Sequence, residues 1–155
     1  SEGVLEQEGV TLRLLSRLHW WLGQPEEAER TGSDAVAVLE QVGDSKELPM
    51  AYSNLAQLAM LAQDAARAEH WATKAIDSAR GFGDHATLAH ALNNLGSTRA
   101  RAGDLAGLDL LEESLQVALD HGLDDHAGRA YANLVWTLLE YRRYALASQL
   151  LDEAL

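Results

Sequence analysis

Apolar side chains return along this chain at helical spacing, in runs that glycine, proline and aspartate interrupt at regular intervals. Residues at i, i+3, i+4 and i+7 share one helix face, whereas a strand would alternate at every second position. The interruptions predict eight helices paired as four hairpins. The first runs from about Glu2 to Leu22 and stops at Gly23. Pro25 opens the second, where a missing amide hydrogen costs nothing, and Glu26 and Glu27 suit the positive end of the helix dipole. Gly43 closes it. Asp44 or Ser45 is expected to cap the third helix, with Pro49 in the first turn and an end near Ala62. Asp64, Asp84 and Asp104 are the expected N-caps of the fourth, fifth and sixth helices, and Asp124 or Asp125 that of the seventh. The seventh carries Tyr131, Leu134, Leu138 and Tyr141 at helical spacing, and the eighth begins near Tyr144.

The hairpins also repeat one another. Asn54-Leu55, Asn94-Leu95 and Asn133-Leu134 are separated by 40 and 39 residues (94−54 and 133−94). The same register relates Asp64 to Asp104, Ala68 to Leu108 and Ala147, Ala35 to Ala75, Leu115 and Ala154, and Gly43 to Gly83 and Gly122. A period of this length marks a solenoid, in which each unit buries its apolar face against the next. The expected fold is therefore all-α: a right-handed α-solenoid of four helical hairpins, with repeats at approximately 2–43, 44–83, 84–122 and 123–155. In that register Leu55, Leu95 and Leu134 are core positions. Asn54, Asn94 and Asn133 beside them face either a concave groove or the seam between repeats.

Composition narrows the picture further. At 155 residues and 47% hydrophobic, the chain can bury the core of one domain, and abundant Ala and Leu with two prolines and one phenylalanine favour helix over strand. The absence of cysteine excludes disulfides and thiolate metal sites. No apolar run approaches the roughly 18 residues a membrane span needs, and no signal peptide is visible, so a cytoplasmic location is expected. With 12 Lys+Arg against 24 Asp+Glu, the formal charge of −12 opposes attraction to a phosphate backbone, and no direct nucleic-acid contact is expected. A start at Ser1, without methionine, and a stop at Leu155 inside an amphipathic pattern read as a piece of a larger protein.

Tyr52-Ser53-Asn54-Leu55-Ala56, Leu92-Asn93-Asn94-Leu95-Gly96 and Tyr131-Ala132-Asn133-Leu134-Val135, with turns at Gln63-Asp64 and Gly103-Asp104, resemble tetratricopeptide repeats. Ala28, Ala68 and Ala147 supply the small residue at which paired helices approach, and Leu108 departs from it. The first unit fits least, with Leu14-Leu15-Ser16 in place of Asn-Leu, and the period of about 40 exceeds the usual value of about 34. In this longer form the stretch from Gly83 onward, and more weakly from Tyr52, resembles the helical-repeat region of bacterial regulators related to the maltose-regulon activator. The most similar segments are Ala89 to Gly96 and Ala130 to Leu134. Such regulators are ATPases with a LuxR-type helix-turn-helix, and the resemblance implies flanking ATPase and DNA-binding domains, with the repeats as effector sensor, partner platform or mechanical link.

It further implies that the first helix of each hairpin lines a concave groove. Ser53, Asn54 and Gln57 would lie there beside His90, Asn93, Asn94, Ser97 and Arg101, followed by Asn133, Trp136 and Glu140. An asparagine offers a donor and an acceptor to a bound peptide backbone. The same amides would serve equally well between neighbouring helices, and both readings stand at this level.

Trp20 and Trp21 are adjacent, so they point about 100° apart and cannot both enter one core stripe. The first helix also carries two apolar rows, Leu12, Leu15 and Leu22 on one side and Val10, Leu14, Leu18 and Trp21 on another. Either its own hairpin partner covers both rows, or one meets a neighbour. With Leu146, Leu150, Leu151 and Leu155 in the last segment, the second case predicts a weak homodimer or end-to-end contact through Trp20, Trp21, Leu150 or Leu151.

Catalytic and metal chemistry find no support. His85 and His90 are five residues apart, as are His121 and His126, where a helical zinc pair needs i, i+4, so solvated loop and helix-end positions account for the six histidines. Gly81-Phe82-Gly83-Asp84-His85-Ala86 has the letters of a dinucleotide fingerprint but follows a helix where that chemistry needs a strand. There is no phosphate loop or nucleophile motif, and Glu112-Glu113 and Asp124-Asp125 read as surface and capping carboxylates. No catalytic residue, metal or cofactor is expected. The functional expectation is a non-enzymatic protein-interaction or sensor module of a bacterial transcriptional regulator, with a protein or peptide partner. The alternatives are a peptide-pheromone-binding repeat domain of a quorum sensor and an accessory helical domain of an enzyme.

Overall fold

The computed structural model describes residues 1–154, so Leu155, counted above in the last apolar face, lies outside the described residues. Among these the chain forms helices α1 (Glu2–Trp21), α2 (Pro25–Val42), α3 (Leu48–Leu61), α4 (Ala65–Phe82), α5 (His85–Arg101), α6 (Ala106–Asp120), α7 (Asp124–Glu140) and α8 (Tyr144–Ala154), and no strand. Each odd-numbered helix packs on the even-numbered helix that follows it. The odd helices also approach one another in the order α1, α3, α5, α7, whereas the backbones of the even ones stay farther apart. Close packing on one side and splaying on the other curve the stack, with the odd helices as its concave layer. Long side chains bridge the outer gaps: Arg67 pairs with Glu29, Lys74 with Glu40 at 3.1 Å, and Arg80 with Glu113 at 3.1 Å. Exposed pairs of this kind contribute about 0 to 1 kcal/mol each, so the apolar core carries the stability.

That core falls into two main clusters, which the partly buried Val117 touches from both sides. Val36, Leu39, Tyr52, Leu55, Leu92 and Leu95 form its first part, and Leu111, Leu115, Leu134, Leu138 and Ala147 its second. Leu55, Leu95 and Leu134 are 1%, 5% and 1% exposed, in equivalent places of successive hairpins. The chain is thus an all-α, tetratricopeptide-like helical solenoid.

The turn within each hairpin is built one way. Gly23, Gln63, Gly103 and Arg142 hold φ of 70°, 60°, 82° and 57°, and in each case the next amide donates to the carbonyl five residues back. This closes the helix and satisfies one of its last carbonyls. Geometry here outweighs residue preference, since Gln63 and Arg142 take a left-handed conformation that glycine adopts without strain.

Helix starts follow the expectation in two cases. Asp64 Oδ1 accepts from the Arg67 amide at 3.1 Å, and Asp84 Oδ1 from that of Thr87 at 3.0 Å. The others differ. Glu47, and neither Asp44 nor Ser45, stands at the start of α3; Ser45 Oγ accepts from the Glu47 amide and donates to Glu6 at 2.7 Å, tying the loop to α1. Leu123 precedes α7, which leaves Asp124 and Asp125 in the first turn, where they act on the helix dipole. Asp104 accepts from the Ala106 amide but sits one residue too early to be the N-cap of α6, because a tight turn bonded from Gly107 to Asp104 and from Leu108 to Leu105 precedes that helix. This turn also explains the departure at Leu108. Gly107 takes over the close approach, and a Cβ there would lie 2.4 Å from the Ala100 nitrogen and 2.6 Å from the Gly96 carbonyl oxygen.

Candidate functional site: the inner face

The helices α3, α5 and α7 bring the asparagine pairs to their shared seams. Asn94 is fully buried; its Nδ2 donates to the Ser53 carbonyl at 3.1 Å, and its Oδ1 accepts from the Arg129 guanidinium. Ser53 Oγ lies 2.6 Å from His90 Nδ1, and Asn133 Nδ2 donates to Asn93 Oδ1 at 2.6 Å. Asn94 is therefore a stitch between three inner helices. Asn54 and Asn93 differ from it, because each is buried with an Nδ2 that has no partner.

Five buried side-chain atoms lack a hydrogen-bond partner among the described residues: Arg13 Nε, Asn54 Nδ2, Asn93 Nδ2, Ser97 Oγ and Arg129 Nη1. All five belong to the inner helices, from α1 to α7. Four are N–H donors and the fifth is a hydroxyl that can donate, so the inner face holds a surplus of donors. Asn54 opens on a hollow of about 300 Å³ whose walls include Arg17, Trp20, Trp21, Gln57 and Leu61. The two tryptophans, expected at a terminal contact, thus also wall the inner face, with Trp21 79% and Trp20 38% exposed. Leu14 and Leu18 on α1 are exposed as well, while at the far end Leu151 is exposed and Leu150 is half-buried on the core.

Trp136 and Glu140 are exposed and continue the stripe that Arg129 and Asn133 begin on α7, at spacings of four, three and four residues. Arg101 stands apart. It lines a second hollow, of about 360 Å³, with Met60, Gln63 and Thr98, close to the hairpin turns.

Positive charge gathers on this face. Burial, together with Arg129, His126, Arg17 and Arg13, holds the His90 pKa well below its ordinary value, and burial alone takes Arg129 down to about 10. Burial also lowers Arg13, against the pull of Glu47 at 3.6 Å. His126 is lowered by burial and by Arg129, with Asp125 and Asp84 opposing. His90 is thus neutral at pH 7, and it is a mid-helix seam residue, contrary to the expectation of a solvated position.

The histidines meet across hairpins and not along one helix. His85 stacks on His121 with ring centroids 3.6 Å apart, and His90 meets His126 edge-on at 6.0 Å. Among the described residues, no three His, Asp or Glu side chains converge as a metal site would need.

Because the folded state disfavours the charged His90, acid should cost stability. The contribution is full above the unfolded pKa of about 6.5 and falls as pH drops below it, where the unfolded chain takes up a proton that the folded chain resists. His90→Gln is expected to flatten the decline in melting temperature between about pH 7 and pH 5. Parallel scans of the two proteins check this, and identical slopes would contradict it.

Arg13, Arg17 and Arg129 are not singled out by the sequence, and His126 enters there only through its spacing from His121. A signal exists for three of them: Arg129 precedes Asn133 by four residues, and Arg13 and Arg17 are i, i+4 on one face of α1.

No protein-family model matches this chain, and no curated protein matches it. Solved structures do. The chain is similar to BtubC (BKLC) from P. vanneervenii, at 19% identity and a TM-score of 0.79, over 94% of this chain and 61% of that one. It is also similar to aspartyl phosphate phosphatase F from Bacillus subtilis, at 11% identity and a TM-score of 0.82, over 96% of this chain and 39% of that one. The chain spans about three fifths of the first and two fifths of the second. At such identities the likeness concerns the fold.

Proposed function

We propose that this solenoid is a non-enzymatic interaction or sensor module whose inner face holds an extended peptide or a segment of a partner protein. The observation that carries this reading is that every buried unpartnered polar atom among the described residues lies on the inner helices, and that each can donate. A buried polar group without a partner costs about 1 to 3 kcal/mol, and a peptide backbone, rich in carbonyl oxygens, supplies the missing acceptors. The exposed side chains of Trp20, Trp21 and Trp136 offer the large apolar surface on which binding energy concentrates. Within a larger protein, such a module suits the sensor or partner-platform role that its repeat period resembles, in a bacterial transcriptional regulator of the LuxR-type ATPase class. The groove of a peptide-pheromone sensor would make the same use of these residues.

Selection of binders from a random peptide library on the immobilised chain, followed by affinity measurements on variants, tests the reading. Asn54→Ala and Trp136→Ala are expected to weaken binding by about tenfold or more, corresponding to hot-spot losses above 1 kcal/mol. Urea midpoints should hold, since truncating Asn54 removes a buried donor that bonds to nothing. Unchanged affinity in both variants would remove the inner face as the binding surface.

A further inference from the structure

The distribution of charge bears on what such a peptide contains, and the inference rests on the inner-face reading above. Although the chain carries −12 overall, its outer-layer cations are matched: Arg30 by Glu27 and Asp34, Arg67 by Glu29, Lys74 by Glu40, and Arg80 by Glu113. On the inner helices Arg99 pairs with Glu69 and the exposed Glu140 adds one negative charge, but the central arginines are less well matched. Among the described residues, Arg17 and Arg129 have no carboxylate within 4 Å, and Arg13 pairs with Glu47 at 3.6 Å. The three are close enough to His90 to act on its charge together. Arg129 is the telling member, since its guanidinium is buried, donates to the neutral Asn94 Oδ1, and leaves Nη1 with no acceptor. A desolvated cation without a counter-charge is unfavourable, and a ligand carboxylate relieves it with a charge-assisted bond. Arg17, which is exposed, stands at the hollow walled by Trp20, Leu58 and Leu61, with the free Asn54 Nδ2 beside it.

We infer that the inner face takes an acidic peptide, with Asp or Glu carboxylates on Arg17 and Arg129 and a neighbouring apolar side chain in the hollow between Trp20 and Leu61. A long polyanion such as nucleic acid would run beyond this patch into the negative remainder of the surface. A short segment with one or two carboxylates stays within the local field, which at physiological salt extends about 8 Å. The donors Asn54 Nδ2 and Asn93 Nδ2 then meet the peptide's own carbonyls, so charge sets the choice of sequence and the amides hold the backbone.

Peptides selected from a random library on the immobilised chain supply the probe. The selected pool should be enriched in Asp and Glu beside an apolar residue. A synthetic peptide from that pool should lose at least tenfold in affinity when its acids are changed to Asn and Gln, and should bind more weakly as NaCl rises. Arg17→Gln and Arg129→Gln should each weaken the acidic peptide and leave its amide version nearly unchanged. Circular dichroism shows whether the Arg129 variant is folded, and the exposed Arg17 keeps the test decisive if it is not. A neutral or basic pool that still depends on Asn54 and Trp136, or an Arg17→Gln variant with full affinity for the acidic peptide, overturns the acidic assignment and leaves the inner-face reading standing. Displacement of the peptide by inorganic phosphate at concentrations where chloride has no effect also overturns it, in favour of a phosphate ligand. A pool that ignores inner-face substitutions overturns both.

Discussion

Leu95→Ala is expected to lower the unfolding free energy by about 2 to 5 kcal/mol, the range for a buried leucine truncated in a packed core. Leu95 is 5% exposed and lies in the same core as Leu55 and Leu92. It sits on α5, which touches α3, α4, α6 and α7, so the cavity opens where two hairpins join. In a stack held by nearest-neighbour interfaces, a defect at such a joint weakens both neighbours. Urea denaturation reads the effect, and a loss below about 1 kcal/mol would mean that the leucine is not the core position assigned to it.

Gly107→Ala is the second large effect. Its added methyl would meet the backbone of α5, at 2.4 Å from the Ala100 nitrogen and 2.6 Å from the Gly96 oxygen, so no side-chain rotation can make room. The helices α5 and α6 must move apart, and overpacking of this kind costs about 1 to 3 kcal/mol or more. Gly128 on α7 provides the control, because a Cβ there meets nothing within 4 Å. Replacing that helical glycine by alanine should stabilise by about 0.5 to 1 kcal/mol. Opposite signs for the two Gly→Ala changes are the expected outcome of paired denaturation curves, and equal effects would contradict the close approach of α5 and α6.

Much of the fold was legible because periodicity is a property of the chain itself. Leu55, Leu95 and Leu134 could be named from spacing alone, and the hairpin turns from residues that interrupt it. The misplaced caps at α3 and α7 have a common cause. Around α3 and α7 several polar residues stood within a turn of one another, and local sequence does not say which of them the tertiary packing puts at the start. Gly107 escaped for a related reason: the tight turn after Asp104 shifts the contact by one residue relative to Ala28, Ala68 and Ala147, and that shift is set by three-dimensional fit.

The inner face was legible in its asparagines and tryptophans, whereas its charge left only a faint signal in the spacing of Arg13, Arg17 and Arg129. Equal spacing gave Asn54, Asn94 and Asn133 one appearance, yet Asn94 bonds across two seams while Asn54 is left with a free donor. Whether an amide finds a partner depends on what the neighbouring helix offers, as Ser53 and Arg129 do for Asn94. Arg129 reads in sequence as one more surface cation, and only the approach of α5 makes it a buried one. The histidine pairs follow the same rule, since His85 with His121 and His90 with His126 meet through the stacking of hairpins.

The central claim is that the concave layer of odd-numbered helices is the binding surface, and nuclear magnetic resonance of the labelled chain tests it most directly. In a titration with a peptide selected from a random library, the side-chain amide signals of Asn54 and Asn93 and the indole signals of Trp20, Trp21 and Trp136 should shift together and saturate with one dissociation constant. The side-chain amides of Gln41 on α2 and Gln116 on α6 should stay in place as outer-layer reporters. Shifts confined to Gln41 and Gln116, with the inner-face signals unmoved at saturation, would contradict the account.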